Sequence, residues 1–193
     1  MKKYYILTIF ILIFASVSFS QRKMRDLPQC RYDFFQLSVS GGFIQPVGYM
    51  YELYNPSGNF GVDFAYKINK EVAINLESRF NFMGLQDSAG PGTNYLEFTV
   101  GPRFYFISKY VRSTFFFEAA TGPYIKMEGS YIKDSTSIPS NTKVKLGANG
   151  GLGCELVLSD NIYFTLKGKY HSIFGERGTE SFFSGDGGIT FRF

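Results

Sequence analysis

Side chains able to carry out chemistry are few in this chain, and their company is thin. His171 is the single histidine. It stands next to Ser172, with Glu176 and Glu180 a little downstream. A histidine within proton-transfer reach of a serine and a carboxylate would suit nucleophilic hydrolysis. On an extended strand, however, adjacent residues point to opposite faces, so His171 and Ser172 cannot share a proton directly. No catalytic residue is expected. Cys30 and Cys154 are compatible with one disulfide in an oxidising compartment, or with two unpaired small side chains. Neither has metal-ligand company, and no phosphate-cradling or dinucleotide glycine motif occurs. Neither a metal site nor a cofactor is expected.

Charged residues at alternate positions are far more numerous. Asp63, Lys67, Glu77, Arg79, Glu97, Arg103, Glu118, Lys126, Lys145, Glu155, Lys167, Lys169, Asp186 and Arg192 each fall on the less apolar side of a segment whose other side is Phe, Leu, Ile or Val. Such two-residue periodicity belongs to strands. With 22 Phe, 14 Tyr and 21 Gly among 193 residues, the composition also favours strands and turns.

The elements that position these charges follow in order. Residues 1–20 have a basic start at Lys2 and Lys3, an apolar run from Tyr4 to Phe14, and small Ser18 and Ser20. They predict a secretory signal peptide cut after Ser20. Without the two leader lysines, 18 basic residues face 16 acidic ones, a bias too weak to argue for nucleic acid. Residues 21–33 predict a periplasmic lead-in. Eight alternating strands are then expected over 34–42, 58–68, 71–82, 94–107, 114–126, 143–158, 162–172 and 182–193. Pro102 interrupts the fourth and predicts a bulge. Long connections at 43–57, 83–93, 127–142 and 173–181 alternate with short ones. The pattern predicts an up-and-down meander with its long loops at one end.

No run approaches the ~20 apolar residues of a membrane helix beyond the leader, whereas strands of this length suit a bilayer crossing. An eight-stranded barrel is just wide enough for side chains to fill. If the bulky apolar face pointed inward, a soluble barrel would result; that face is too bulky for so narrow a lumen. Pointing it outward puts the aromatic face against lipid and packs the charges inside as compensating ion pairs. The expected fold class is all-β, an eight-stranded antiparallel up-and-down transmembrane β-barrel over 34–193. The interior polar network is expected at Asp63, Glu77, Arg79, Glu97, Arg103, Glu118, Lys145, Glu155, Lys167, Lys169, Asp186 and Arg192.

The leader, the eight alternating strands and the closing GGITFRF resemble the outer-membrane β-barrel domain family of the OmpA/OmpX type. In that family a terminal aromatic residue preceded by alternate apolar ones is the signal read by the barrel-assembly machinery. The resemblance implies that role for Ile189, Phe191 and Phe193. It also implies a location in the cell outer membrane, with outer-membrane lipids as partners. Outer-membrane lipid A deacylases, which resemble this fold, place their His and Ser two residues apart on one face, a spacing His171-Ser172 lacks. Tyr49, Tyr51, Tyr54 and Tyr131 are expected either in an aromatic girdle at headgroup level or in a binding surface. Function is expected to be that of a non-enzymatic anchor whose loops serve envelope integrity, adhesion or partner binding. Small-solute transport or lipid modification is the alternative.

Overall fold

The computed structural model describes residues 35–85, 92–106, 113–133, 136–159, 161–175 and 178–193, excluding the side chains of 131–133, 136 and 137. The expected signal peptide, the lead-in with Cys30, Glu176, the 108–112 turn and the centre of the 83–93 loop lie outside the described residues. Eight long strands run in chain order: β1 Phe35–Val47, β2 Ser57–Lys67, β3 Val72–Leu85, β4 Thr93–Phe106, β5 Ser113–Glu128, β6 Asn141–Ser159, β7 Ile162–Gly175 and β8 Gly178–Arg192. Each pairs antiparallel with the next, and β8 pairs with β1. The chain is therefore all-β, a closed eight-stranded antiparallel up-and-down barrel.

Its geometry follows from the register. Leu37 leads through Phe64, Leu76, Val100, Thr121, Ala148, Ser172 and Ser181 back to β1, but at Val47, ten residues further along. A stagger of that size tilts the strands by roughly 40° and keeps the lumen narrow. Strand alternation then sorts the side chains. Phe35, Leu37, Val39, Phe60, Val62, Phe64, Ile74, Leu76, Phe98, Phe104, Phe115, Phe117, Leu152, Leu166 and Phe183 are all exposed on the outside. The polar partners between them are buried. The arrangement is inside-out, as the bulk of the apolar face predicted.

Several boundaries differ from the sequence expectation. The 43–57 segment is not all loop, because β1 continues through Phe43–Val47 against β8. Pro46 is tolerated there because β2 stops at the Ile44–Ser57 pair, so the edge lacking a donor has no partner strand. Beyond β1 come a one-turn helix, α1, Tyr49–Leu53, entered through Gly48 at φ 58°, which favours glycine, and a two-residue strand, Tyr54–Asn55, paired with Leu85 and Gly84 of β3. The 127–142 segment holds a small hairpin, Tyr131–Lys133 with Thr136–Ile138. The 173–181 segment is mostly strand, since β7 and β8 pair up to Gly175–Gly178. No bulge occurs at Pro102, whose strand keeps one register on both sides. The register shifts instead near Leu158, where Ile162 and Tyr163 pair with Ser159 and Val157.

The glycines of β6 acquire a reason. On the inner face of Gly153 a Cβ would lie 2.2 Å from the Phe116 ring, and at Gly151 one would lie 2.2 Å from the Gly168 carbonyl oxygen and 2.8 Å from Lys169 Cγ. Large lumenal side chains lie across a bare strand, which only glycine permits. Gly151→Ala is expected to cost about 1–3 kcal/mol through overpacking. Gly168→Ala, on the open outer face with nothing within 4 Å, should be nearly silent. Urea unfolding followed by circular dichroism in micelles compares the two.

Candidate functional site: the lumenal ion-pair network

Every residue expected in the polar network faces the lumen. Asp63, Glu77, Arg79, Glu97, Arg103, Glu118, Glu155, Lys167, Lys169 and Asp186 are buried. Arg192 lies at the lower rim and Lys145 at the upper mouth, both partly exposed. At the floor the Gln36 amide, oriented with its nitrogen toward Tyr105 Oη at 2.7 Å, accepts from Arg192 Nε at 2.8 Å and Lys67 Nζ at 3.3 Å. Arg192 also bonds Glu155 and stacks on Tyr163 at 3.5 Å. One layer up, Arg103 binds Glu118 at 2.6 Å, and Lys167 Nζ binds Asp63 at 2.6 Å. Lys169 joins Glu118, at 2.7 Å, to Glu77.

Arg79 is the hub. Its Nε donates to Glu77 at 2.8 Å, NH1 to Asp186 at 2.6 Å and NH2 to the Ser40 hydroxyl at 3.2 Å, while Glu97 lies 3.7 Å away. Four strands thereby meet on one guanidinium, whose rigid fork suits such multiple pairing.

Above Arg79 sits a group that sequence reasoning missed. His171 Nε2 is 3.0 Å from Ser184 Oγ; its Nδ1 is 3.2 Å from Glu97 Oε2 and 3.1 Å from Tyr124 Oη. Ser172, the sequence neighbour, faces out. Ser184 is thirteen residues away on β8 and reaches His171 only through barrel pairing, so no local spacing signals it. Serine, imidazole and carboxylate stand in the order of a nucleophilic relay. Yet Ser184 donates onward to Asp186 at 3.2 Å, the ring stacks on Phe182 at 4.4 Å, and all three side chains are buried. Above them Ile44, Met50, Tyr54, Met83, Tyr95, Tyr124, Ile173 and Phe182 form an apolar plug, with Met50 supplied by α1.

Among the fourteen lumen-side charges that the sequence places together, six are acidic and eight basic, so they do not balance alone. Glu128 and Glu180, expected in loops, restore the balance at the mouth. Lys126 Nζ reaches Glu128 at 3.0 Å and Glu180 at 3.1 Å, and Lys145 Nζ reaches Glu180 at 2.7 Å. Burial raises the Glu180 carboxyl, but hydrogen bonds from Lys145 and Tyr95 and the charge of Lys126 outweigh it and hold it below its ordinary 4.5. Of the four tyrosines, Tyr54 is buried, its hydroxyl donating to Thr93 at 3.1 Å, and takes no part in a girdle. Tyr49 and Tyr51 are exposed on α1, while the Tyr131 side chain lies outside the described residues. Ile189 and Phe191 face outward on β8, as does the exposed Phe193. Cys154 is unpaired and half-buried on the outer face of β6.

Comparison with solved structures finds the same fold in Neisserial surface protein A, at 11% identity and a TM-score of 0.57, over 82% of this chain and 97% of that one. The N-terminal β-barrel domain of Pseudomonas aeruginosa OprF matches at 13% identity and a TM-score of 0.52, again over 82% and 97%. No protein-family model matches the chain, and no curated protein matches its sequence. The likeness to eight-stranded outer-membrane barrels is therefore one of fold.

Arg79→Met is expected to cost about 3–5 kcal/mol, because Glu77 and Asp186 would be left buried without their counter-charge. Arg79→Lys should recover only part, since one ammonium cannot replace the fork. Denaturant titration in micelles reads both. The mouth cluster has a pH signature. A carboxyl held below its ordinary value stabilises the fold fully above about pH 5 and loses that contribution as pH falls through the lowered value. Glu180→Gln is expected to flatten this acid limb in unfolding curves between pH 3 and about 6.

Proposed function

We propose that the protein is a non-enzymatic integral outer-membrane protein in which the barrel is an anchor and the extracellular segments carry envelope integrity, adhesion or partner binding. The continuous outward apolar wall carries this reading. An apolar surface of this extent would be an aggregation liability in water and is the normal exterior of a transmembrane barrel. The wall ends where outward side chains turn polar at Asn94 on β4 and at Thr179 and Ser181 on β8. Closure leaves no unpaired sheet edge in hydrocarbon, the condition strands must meet to span it. The fold shared with known outer-membrane barrels supports the same location.

The filled lumen supports anchoring over solute passage. Ion pairs occupy it from Arg192 up to Arg79, and the apolar plug closes it above. The parts available to a partner are the exposed Tyr49, Tyr51 and Leu53 of α1 and the tip beyond Glu128 and Asn141. The aromatic signal at Ile189, Phe191 and Phe193 makes the barrel-assembly machinery a partner during insertion.

The chain should remain with membranes after washing at alkaline pH, and release into the wash would overturn the membrane reading. Deleting residues 130–139 should leave the barrel in the membrane while abolishing adhesion or weakening the envelope. Stepwise conductance of the intact chain in planar bilayers would replace the anchor with a transporter. Altered lipid A that reverts in a Ser184→Ala variant would replace it with an enzyme.

A further inference from the structure

The seam between β4 and β5 differs from the others. Val100 faces Thr121 and Arg103 faces Glu118, and the same register sets Pro102 opposite Ala119 and Pro123 opposite Phe98. Neither proline pair is bridged, nor are Thr99–Gly122 and Gly101–Ala120. The missing pairs are those expected when both proline nitrogens point into this seam, so the Phe98 and Ala119 carbonyls lose their donors. A Cβ on Gly122 or Gly101 would come within 2.0 and 1.9 Å of those two oxygens, so each leans over the inner face of the opposite strand.

At the four unbridged levels the side chains add little to hold the seam, which is tied lower down by the Arg103–Glu118 ion pair and the Tyr105–Phe116 ring contact. Thr99, Gly101, Ala120 and Gly122 lie on its inner side, and Val100, Pro102, Ala119 and Thr121 on its outer side. The closing seam, β1 with β8, is paired without a break from Gln36–Arg192 to Val47–Ser181. In an eight-stranded ring the β4–β5 seam lies diametrically across from it.

We propose that the barrel wall parts at this seam, making a lateral opening between the upper lumen and the surrounding hydrocarbon. Only the identity of the medium outside rests on the membrane reading above; the parting of the wall does not. Polar groups already line the inner side, where Asn149 Nδ2 reaches Thr99 Oγ1 at 3.3 Å and Tyr124 Oη at 3.2 Å. They offer alternative partners to backbone groups released when the strands separate.

The test is amide hydrogen exchange, read by NMR on the intact barrel in lipid nanodiscs. Val100 and Thr121, which bond across this seam, should exchange at least about tenfold faster than Val39 and Ile189 in the closing seam. The combined Pro102→Val and Pro123→Val variant, which supplies both missing donors, should abolish the difference. Equal rates in the wild-type chain would overturn the proposal, as would a difference that survives in the variant. The wild-type comparison needs no substitution, so it decides the matter even if the variant does not fold.

Discussion

A charged side chain enclosed by a narrow backbone wall has to find its opposite charge within that same lumen, because no water shell is there to replace it. This constraint governs the molecule. Arg79 is completely buried and holds Glu77, Asp186 and Ser40 from three strands, so those strands must meet at one height and one register. The ladders of backbone bonds fix the strands locally, and the ion pairs fix the barrel across its diameter. Inverting the packing, with rings inside and charges outside, would dissolve both the network and the apolar wall.

The small residues serve the same constraint. β6 is bare inside because Phe116 and Lys169 lie across it, so a large side chain from one wall is matched by a missing one on the other. Where glycine and proline occur together, on β4 and β5, the wall is thin and two ladder bonds are absent. The lumen is thus over-determined at its centre and under-determined along one seam. Polar contacts between layers continue upward through Ser184, His171 and Glu97 to the apolar plug, which separates the buried charges from the mouth.

The shared fold at 11% and 13% identity shows how little sequence identity such a barrel requires. Outward positions need only be apolar, and inward ones need only neutralise each other. Individual side chains can therefore change while the architecture stays, which is why fold likeness leaves the identity of a bound partner to experiment.

The sequence by itself determined that the chain is a barrel of eight strands and which face of each strand points out, because period-two alternation is written residue by residue. It located the lumenal charges, from Asp63 to Arg192, for the same reason. It could not show that Ser184 meets His171, that Glu128 and Glu180 complete the charge balance, or that Met50 seals the mouth. Those contacts join residues from different strands or loops, and only the stagger between strands sets their heights. It also placed Pro46 in a loop, where β1 continues, and expected a bulge at Pro102, where the register holds and only the ladder to β5 is interrupted. Whether a proline interrupts a strand depends on whether its nitrogen meets a neighbouring carbonyl, and tertiary pairing alone decides that.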